Sequence, residues 1–197
     1  MKAYDRAYFD RWYRDPRHCV RTAEGLARKA CLAVSTAEYF LARPIRTVLD
    51  VGCGEGAWYP VLEHMRPDIR YIGVDSSAYA VERFGERRHI RRGSLGDLDR
   101  LRLPRAIDLI VCSDVLQYVP TRELESGLEA MHRLLGGVAF IEAFAAEDAM
   151  VGDRDGWHDR PAARYRALFK RAGFVRCGPH CYVNPDTLDQ VDAFELM

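Results

Sequence analysis

The chain has 197 residues, enough for one complete hydrophobic core without a second domain. Its 29 basic residues balance 29 acidic ones, so no global positive field draws in nucleic acid or an anionic lipid surface. No apolar run approaches the roughly 20 residues of a membrane span, and six scattered cysteines (Cys19, Cys31, Cys53, Cys112, Cys177, Cys181), without a Cys-x-x-Cys pair or a secretory signal ahead of them, fit reduced thiols in a cytoplasm.

In chain order, Tyr4, Tyr8, Phe9, Trp12 and Tyr13 recur at three- and four-residue spacings, which places them along one side of a helix. A second helix is predicted over about 18–32, with Val20, Ala23, Ala27 and Cys31, and a third from near Ser35 or Thr36 to a stop before Pro44. Residues 1–43 therefore read as a helical extension and residues 44–197 as one compact unit. Within that unit short apolar or β-branched runs occur at 47–51 (TVLDV), 70–74 (RYIGV), 89–91 (HIR), 107–112 (IDLIVC) and 138–144 (VAFIEAF), separated by segments of helical period. One such segment carries Leu124, Leu128, Met131 and Leu135, behind Pro120 and Thr121 and ahead of a Gly136-Gly137 stop. Alternating strands and helices imply crossover connections and a mainly parallel sheet covered on both faces.

Near the end, Asp159, Arg160 and Pro161 open a helix with Tyr165, Leu168, Phe169 and Ala172 inward and Gly173 as its close. Two strand-like runs follow, FVRCG (174–178) and DAFELM (192–197), with CYVN as a further extended piece between them. No helix fits between those runs, so the last pair is expected to be antiparallel. The predicted fold is α/β: a doubly wound, mainly parallel, seven-stranded Rossmann-like sheet with a C-terminal antiparallel strand pair and an N-terminal helical extension.

Ligands of doubly wound sheets bind outside the carboxyl ends of the strands. There the chain reads VLDVGCGEG (48–56), a strand running straight into a glycine turn. Gly52, Gly54 and Ala57 satisfy the dinucleotide spacing, and Asp75 ends the next strand where a ribose-binding acid is expected. A pyrophosphate at this turn would nevertheless lie close to Asp50 and Glu55, which oppose what the helix dipole and backbone amides favour. S-adenosylmethionine removes the conflict: it has no phosphate, carries an ammonium and a sulfonium, and still offers ribose hydroxyls to a carboxylate.

VLDVGCGEG, then YIGVDSS (71–77), then AIDLIVCSDVLQYV (106–119) resemble, in order, the motifs of the Class I S-adenosylmethionine-dependent methyltransferases over roughly residues 45–145. The resemblance implies that Asp50, Gly52 and Gly54 surround the methionine end. It further implies that Asp75 holds the ribose hydroxyls with Ser76 beside the adenine, that the Cys112 backbone serves the ammonium, and that Asp114 and Val115 follow on the same loop. Two positions depart from the family pattern. After the third strand the chain has Ser94-Leu95, with Asp97 three residues beyond Ser94, where relatives often carry an acid near the adenine amine. At 117–119 it reads QYV, so no general base transfers from that loop.

Other charged or metal-like stretches carry less. RRHIRR (87–92) alternates as a charged strand end would, and no aromatic interleaving or Asn/Asp-Pro-Pro-Tyr motif accompanies it, so no nucleic-acid partner is expected. CGPHC (177–181) offers three donors where a closed zinc site needs about four, so no metal is expected. Substrate contacts must come from outside the shared core. The Tyr4, Tyr8, Trp12 and Tyr13 stripe is a candidate lid. The long charged stretch 147–160 offers Trp157 and His158, the latter a candidate general base. The expected activity is transfer of a methyl group from S-adenosylmethionine to an oxygen or nitrogen of a small molecule. A NAD-dependent oxidoreductase and a non-catalytic cofactor-binding module are the alternatives.

Overall fold

The computed structural model describes residue 2, residues 4–149 and residues 152–188. Its strands are β1 Thr47–Val51, β2 Arg70–Asp75, β3 Ile90–Arg92, β4 Ile107–Ser113, β5 Leu135–Glu142, β6 Val175–Gly178 and β7 Cys181–Val183. They form one seven-stranded sheet in the order β3-β2-β1-β4-β5-β7-β6. The first five pair in parallel, whereas β7 runs antiparallel to both β5 and β6. The C-terminal antiparallel pair is thus present, but its second strand is the CYV run at Cys181–Val183; the DAFELM segment at 192–197 lies outside the described residues.

The helices are α1 Arg6–Phe9, α2 Ala23–Leu41, α3 Trp58–Met65, α4 Ala78–Arg88, α5 Thr121–Leu134, α6 Ala162–Arg171 and α7 Pro185–Leu188. Alternate strand residues point to opposite faces of the sheet. Val48, Leu109, Val111, Val138 and Phe140 pack under α2 and α3, with Leu26, Ala30, Val34, Trp58 and Leu62. Leu49, Val51, Ile110, Ala139 and Ile141 pack under α5 and α6, with Leu124, Leu128, Met131, Leu168 and Phe169. Each face therefore has its own core, as a doubly wound sheet requires.

The two helices expected over 18–32 and from Ser35 are one continuous helix, α2. Its start signal is Thr22, whose Oγ1 accepts from the Gly25 amide at 3.0 Å. Thr36 gives no break because its hydroxyl donates to the Leu32 carbonyl at 2.7 Å within the helix. The inward stripe is Leu26, Ala30, Ala33, Val34 and Ala37, so Cys31 is exposed and Val20 precedes the helix. The stripe of aromatics folds as α1 followed by a π-helical turn at Asp10–Arg14. Gly136 and Gly137 do not stop α5 in a loop; β5 starts directly after it, at Leu135. A Cβ on Gly137 would fall 2.2 Å from the Asp108 carbonyl oxygen, so these glycines let β5 close onto the start of β4.

Strand order reverses between β1 and β4, and both strands end at the same edge. That is the crevice where such sheets bind ligands. No helix among the described residues is long and apolar enough to cross a membrane.

Candidate active site

Gly52, Gly54 and Gly56 all have positive φ (70°, 56° and 71°), which makes the turn after β1 one that residues with a Cβ rarely adopt. The Gly52 and Cys53 amides donate to the Val74 carbonyl at 2.8 and 3.2 Å, holding the turn against β2. A Cβ on Gly52 would meet Val115 at 2.3 Å. The turn is therefore the floor of whatever binds here, with no room to thicken.

Two cavities, of about 250 and 420 Å³, meet over this turn and share Phe9, Tyr13, Gly52, Gly54 and Asp114. Asp50, Ser113, Arg21, Lys29 and Trp58 line the smaller one. It thus sets carboxylates against a guanidinium and an ammonium, the complement of an amino-acid zwitterion. Asp75, Ser76, Ser94, Leu95 and Val115 line the larger one, which opens toward Tyr4, Tyr8 and Tyr118.

The acids are held in unusual states. Asp50 is buried, its Oδ2 accepts the Tyr71 hydroxyl at 2.6 Å, and burial pushes its carboxyl up to about 7 although Tyr71 and Arg21 pull the other way. Asp114 takes positive φ (62°), and its buried Oδ1 finds no hydrogen-bond partner among the described residues. Burial, helped by nearby Glu142, pushes it up to about 6. Asp75 accepts the Gly54 amide on Oδ2 and the Ser77 amide on Oδ1, both at 2.7 Å. Burial outweighs those two amides and raises its carboxyl above the ordinary range. Three raised carboxyls thus line the cleft, and a ligand with positive charge or hydroxyl donors would complement them.

Among the residues expected from sequence, Asp50, Gly52, Gly54, Asp75, Ser76, Ser94, Leu95, Asp114 and Val115 are brought together on the cavity walls. Cys112 is not. It is fully buried within β4, burial raises its thiol, and Ser113 stands at the wall instead. Asp97 is consumed in a capping box with Ser94, accepting its amide and its hydroxyl at 2.9 Å each. Glu123, which the sequence reading passed over, lines the larger cavity and accepts the Gly96 amide at 3.1 Å.

The N-terminal segment covers the cleft as a lid would. Tyr4, Tyr8, Phe9 and Tyr13 line it, and Arg14 clamps the segment to the glycine turn through Glu55 at 2.6 and 2.7 Å. That pair also neutralises Glu55, so the electrostatic case against a pyrophosphate rests on Asp50 and Asp114. Trp12 lines neither cavity; its ring packs on His18 at 5.8 Å. Trp157 packs between Tyr118 and Phe144, with ring centroids 6.4 and 6.2 Å away, behind the cavity wall. His158 is exposed and lines neither cavity, and its contact with the site is a backbone amide donating to the Gln117 carbonyl at 2.8 Å. The expectation of a general base at His158 is corrected accordingly. Arg21 and Lys29 were also missed, since a basic residue before or within a helix resembles ordinary surface charge. The cysteines are free, and no group of three or more His, Cys, Asp or Glu arranged to hold a metal occurs among the described residues.

Comparison with known proteins adds three relatives. Residues 49–138 match the family model described as a methyltransferase domain. The trans-aconitate 2-methyltransferase of Methylobacterium radiotolerans is 30% identical over 152 residues, which are 66% of this chain and 58% of that protein's length. The crystal structure of a sugar N-methyltransferase from Streptoalloteichus superposes with a TM-score of 0.64 at 19% identity, covering 81% of this chain and 87% of that one. That of magnesium protoporphyrin IX methyltransferase from Synechocystis, with S-adenosylhomocysteine bound, gives a TM-score of 0.57 at 21% identity, covering 89% of each chain. At such identities the two structures share the fold.

Proposed function

We propose that this chain, whose motifs, sheet and match over 49–138 fit the Class I S-adenosylmethionine-dependent methyltransferases, transfers a methyl group to an oxygen or nitrogen of a small molecule. The observation that carries the reading is the two-part cavity over the glycine turn. One half presents Asp50 and Asp114 against Arg21 and Lys29; the other presents Asp75 beside Ser76 and Leu95. A zwitterion joined to a nucleoside satisfies both halves at once, whereas a pyrophosphate would face Asp50 and Asp114 across the turn.

When bound, S-adenosylmethionine supplies a methyl group already activated for displacement. Asp50 and Asp114 then hold the ammonium end, with Arg21 toward the carboxylate and Asp75 toward the ribose hydroxyls. Leu95 and Val115 make an apolar slot for the adenine ring. Tyr4, Tyr8, Phe9 and Tyr13 close over the top and exclude water, so that positioning and desolvation supply much of the rate. An acceptor enters from the Tyr4, Tyr8 and Tyr118 end of the larger cavity.

Labelled-methyl transfer tests this reading. Purified protein is incubated with methyl-labelled S-adenosylmethionine and a panel of small amines, phenols and carboxylic acids. Trans-aconitate is included because a relative carries its name. Transfer to at least one acceptor, with S-adenosylhomocysteine formed in equal amount and His158→Ala retaining the rate within about two-fold, is expected. Tight cofactor binding with no transfer across the panel would favour a binding module instead.

A further inference from the structure

At the mouth of the larger cavity the chain's own Lys2 sits in a cage of tyrosines. Its Nζ lies 4.1 Å from the Tyr118 ring centroid, 5.2 Å from that of Tyr8 and 5.3 Å from that of Tyr4. The same ammonium is ion-paired with the Asp153 carboxylate and donates to the Asp155 carbonyl at 2.9 Å. Both side chains of the pair are only 12% exposed. Aromatic faces carry negative potential and attract a cation within about 6 Å of the ring centre. Three rings and a carboxylate therefore make a receptor for positive charge.

Two of the receptor's rings, Tyr8 and Tyr118, stand on helical turns, while Tyr4 and Asp153, like Lys2, lie outside any helix or strand. Tyr8 belongs to α1 and stands edge-on to Tyr4, with centroids 5.0 Å apart and rings at 86°. Tyr118 closes the short 3-10 turn Leu116–Tyr118, and its hydroxyl donates to the Asp153 carbonyl at 2.6 Å. Lys2 lies ahead of α1, outside any helix or strand, and reaches the cage through a long flexible side chain. A charged group on a tether fills a site that folded residues have already shaped. The Asp153 carboxylate would remain as counter-ion for any other cation that entered.

We propose that this cage is a cation subsite of the acceptor cavity, which takes a positively charged ammonium group of the methyl acceptor, and that Lys2 is its intramolecular competitor. The word acceptor rests on the methyltransferase reading above; the cation site itself does not. Because Lys2 already spends its charge on Asp153, it is not offered as a contact for an anionic acceptor.

Calorimetric titration of the full chain with tetramethylammonium chloride, at ionic strength matched with sodium chloride, tests this. If Lys2 fills the cage about nine-tenths of the time, Lys2→Gln should tighten binding of the cation about ten-fold. The gain should vanish when Asp153→Asn or Tyr118→Leu is added to Lys2→Gln. Thermal melts confirm that each variant folds, and the Asp153→Asn arm decides the matter if Tyr118→Leu does not. Unchanged affinity in Lys2→Gln, or a gain that survives loss of Asp153, would overturn the subsite. So would weaker trans-aconitate binding in Lys2→Gln without a gain for the cation, which would make Lys2 an anion contact. S-adenosylhomocysteine is titrated in parallel. If it binds and the cation gain is missing, the subsite alone fails; a cation gain without its binding supports the subsite and contradicts the methyltransferase reading.

Discussion

Asp50 concentrates the chemistry of the site in one carboxyl. With its ordinary value of 3.8 raised to about 7 by burial, it is largely protonated in the unliganded protein below neutrality. A raised acid favours the folded state at pH below 3.8, and this contribution is lost as pH rises through about 7. A cationic ligand prefers the ionised form, so affinity for S-adenosylhomocysteine should fall up to about ten-fold for each pH unit below 7. The ligand's own ammonium, beside its free carboxylate, keeps its charge well above neutrality, so affinity should level off above Asp50's value. Calorimetry from pH 5.5 to 8.5 should show this acid limb, and Asp50→Asn should lower the affinity and move the limb down toward the value of about 6 that Asp114 keeps. An acid limb unchanged in the variant would remove Asp50 from the ammonium. Asp50 and Asp75 were legible in the sequence because they end strands at a turn. His158 was misplaced because whether a residue faces a cleft, the core or solvent is decided by packing that no local spacing records.

At the scale of elements, strands announced themselves as short apolar or β-branched runs, and the break expected within α2 came from a local signal that the helix absorbs. Ser35 and Thr36 looked like a helix start, yet a threonine hydroxyl bonded to the preceding turn is tolerated in the middle of α2. Asp108, inside an apolar strand, ties the start of β4 to the entry of β1. It accepts the Arg46 and Thr47 amides at 2.6 and 3.1 Å and the Arg43 guanidinium at 2.7 Å. Burial would raise its carboxyl, but these three donors together hold it below 3.8. Arg43 is 39% exposed, so solvent screens its share and the amides carry more of the effect. Asp108→Ala should cost roughly 1.5–3 kcal/mol in chemical denaturation at pH 7. Since the folded value is depressed, that contribution is present above 3.8 and lost as pH falls through the folded value. The difference between wild type and variant should therefore shrink in strongly acidic buffer. Equal stability of the two at pH 7 would show that Asp108 anchors nothing.

For the whole molecule, the order of strand, glycine turn and acid was readable because each is a local feature at the carboxyl end of β1 or β2. The mouth of the larger cavity was less so: it brings Lys2 against Tyr118 and Asp153, and contacts across such distances leave no mark in local composition. The central claim is that the turn after β1 is shaped for a cationic nucleoside and not for a dinucleotide. Titration calorimetry of the wild type and Asp75→Ala with S-adenosylmethionine, S-adenosylhomocysteine and NAD tests it most directly. Micromolar binding of both sulfur nucleosides, none of NAD, and an affinity lower by about 1.5–3 kcal/mol in Asp75→Ala are expected. Binding of NAD with no binding of either sulfur nucleoside would contradict it.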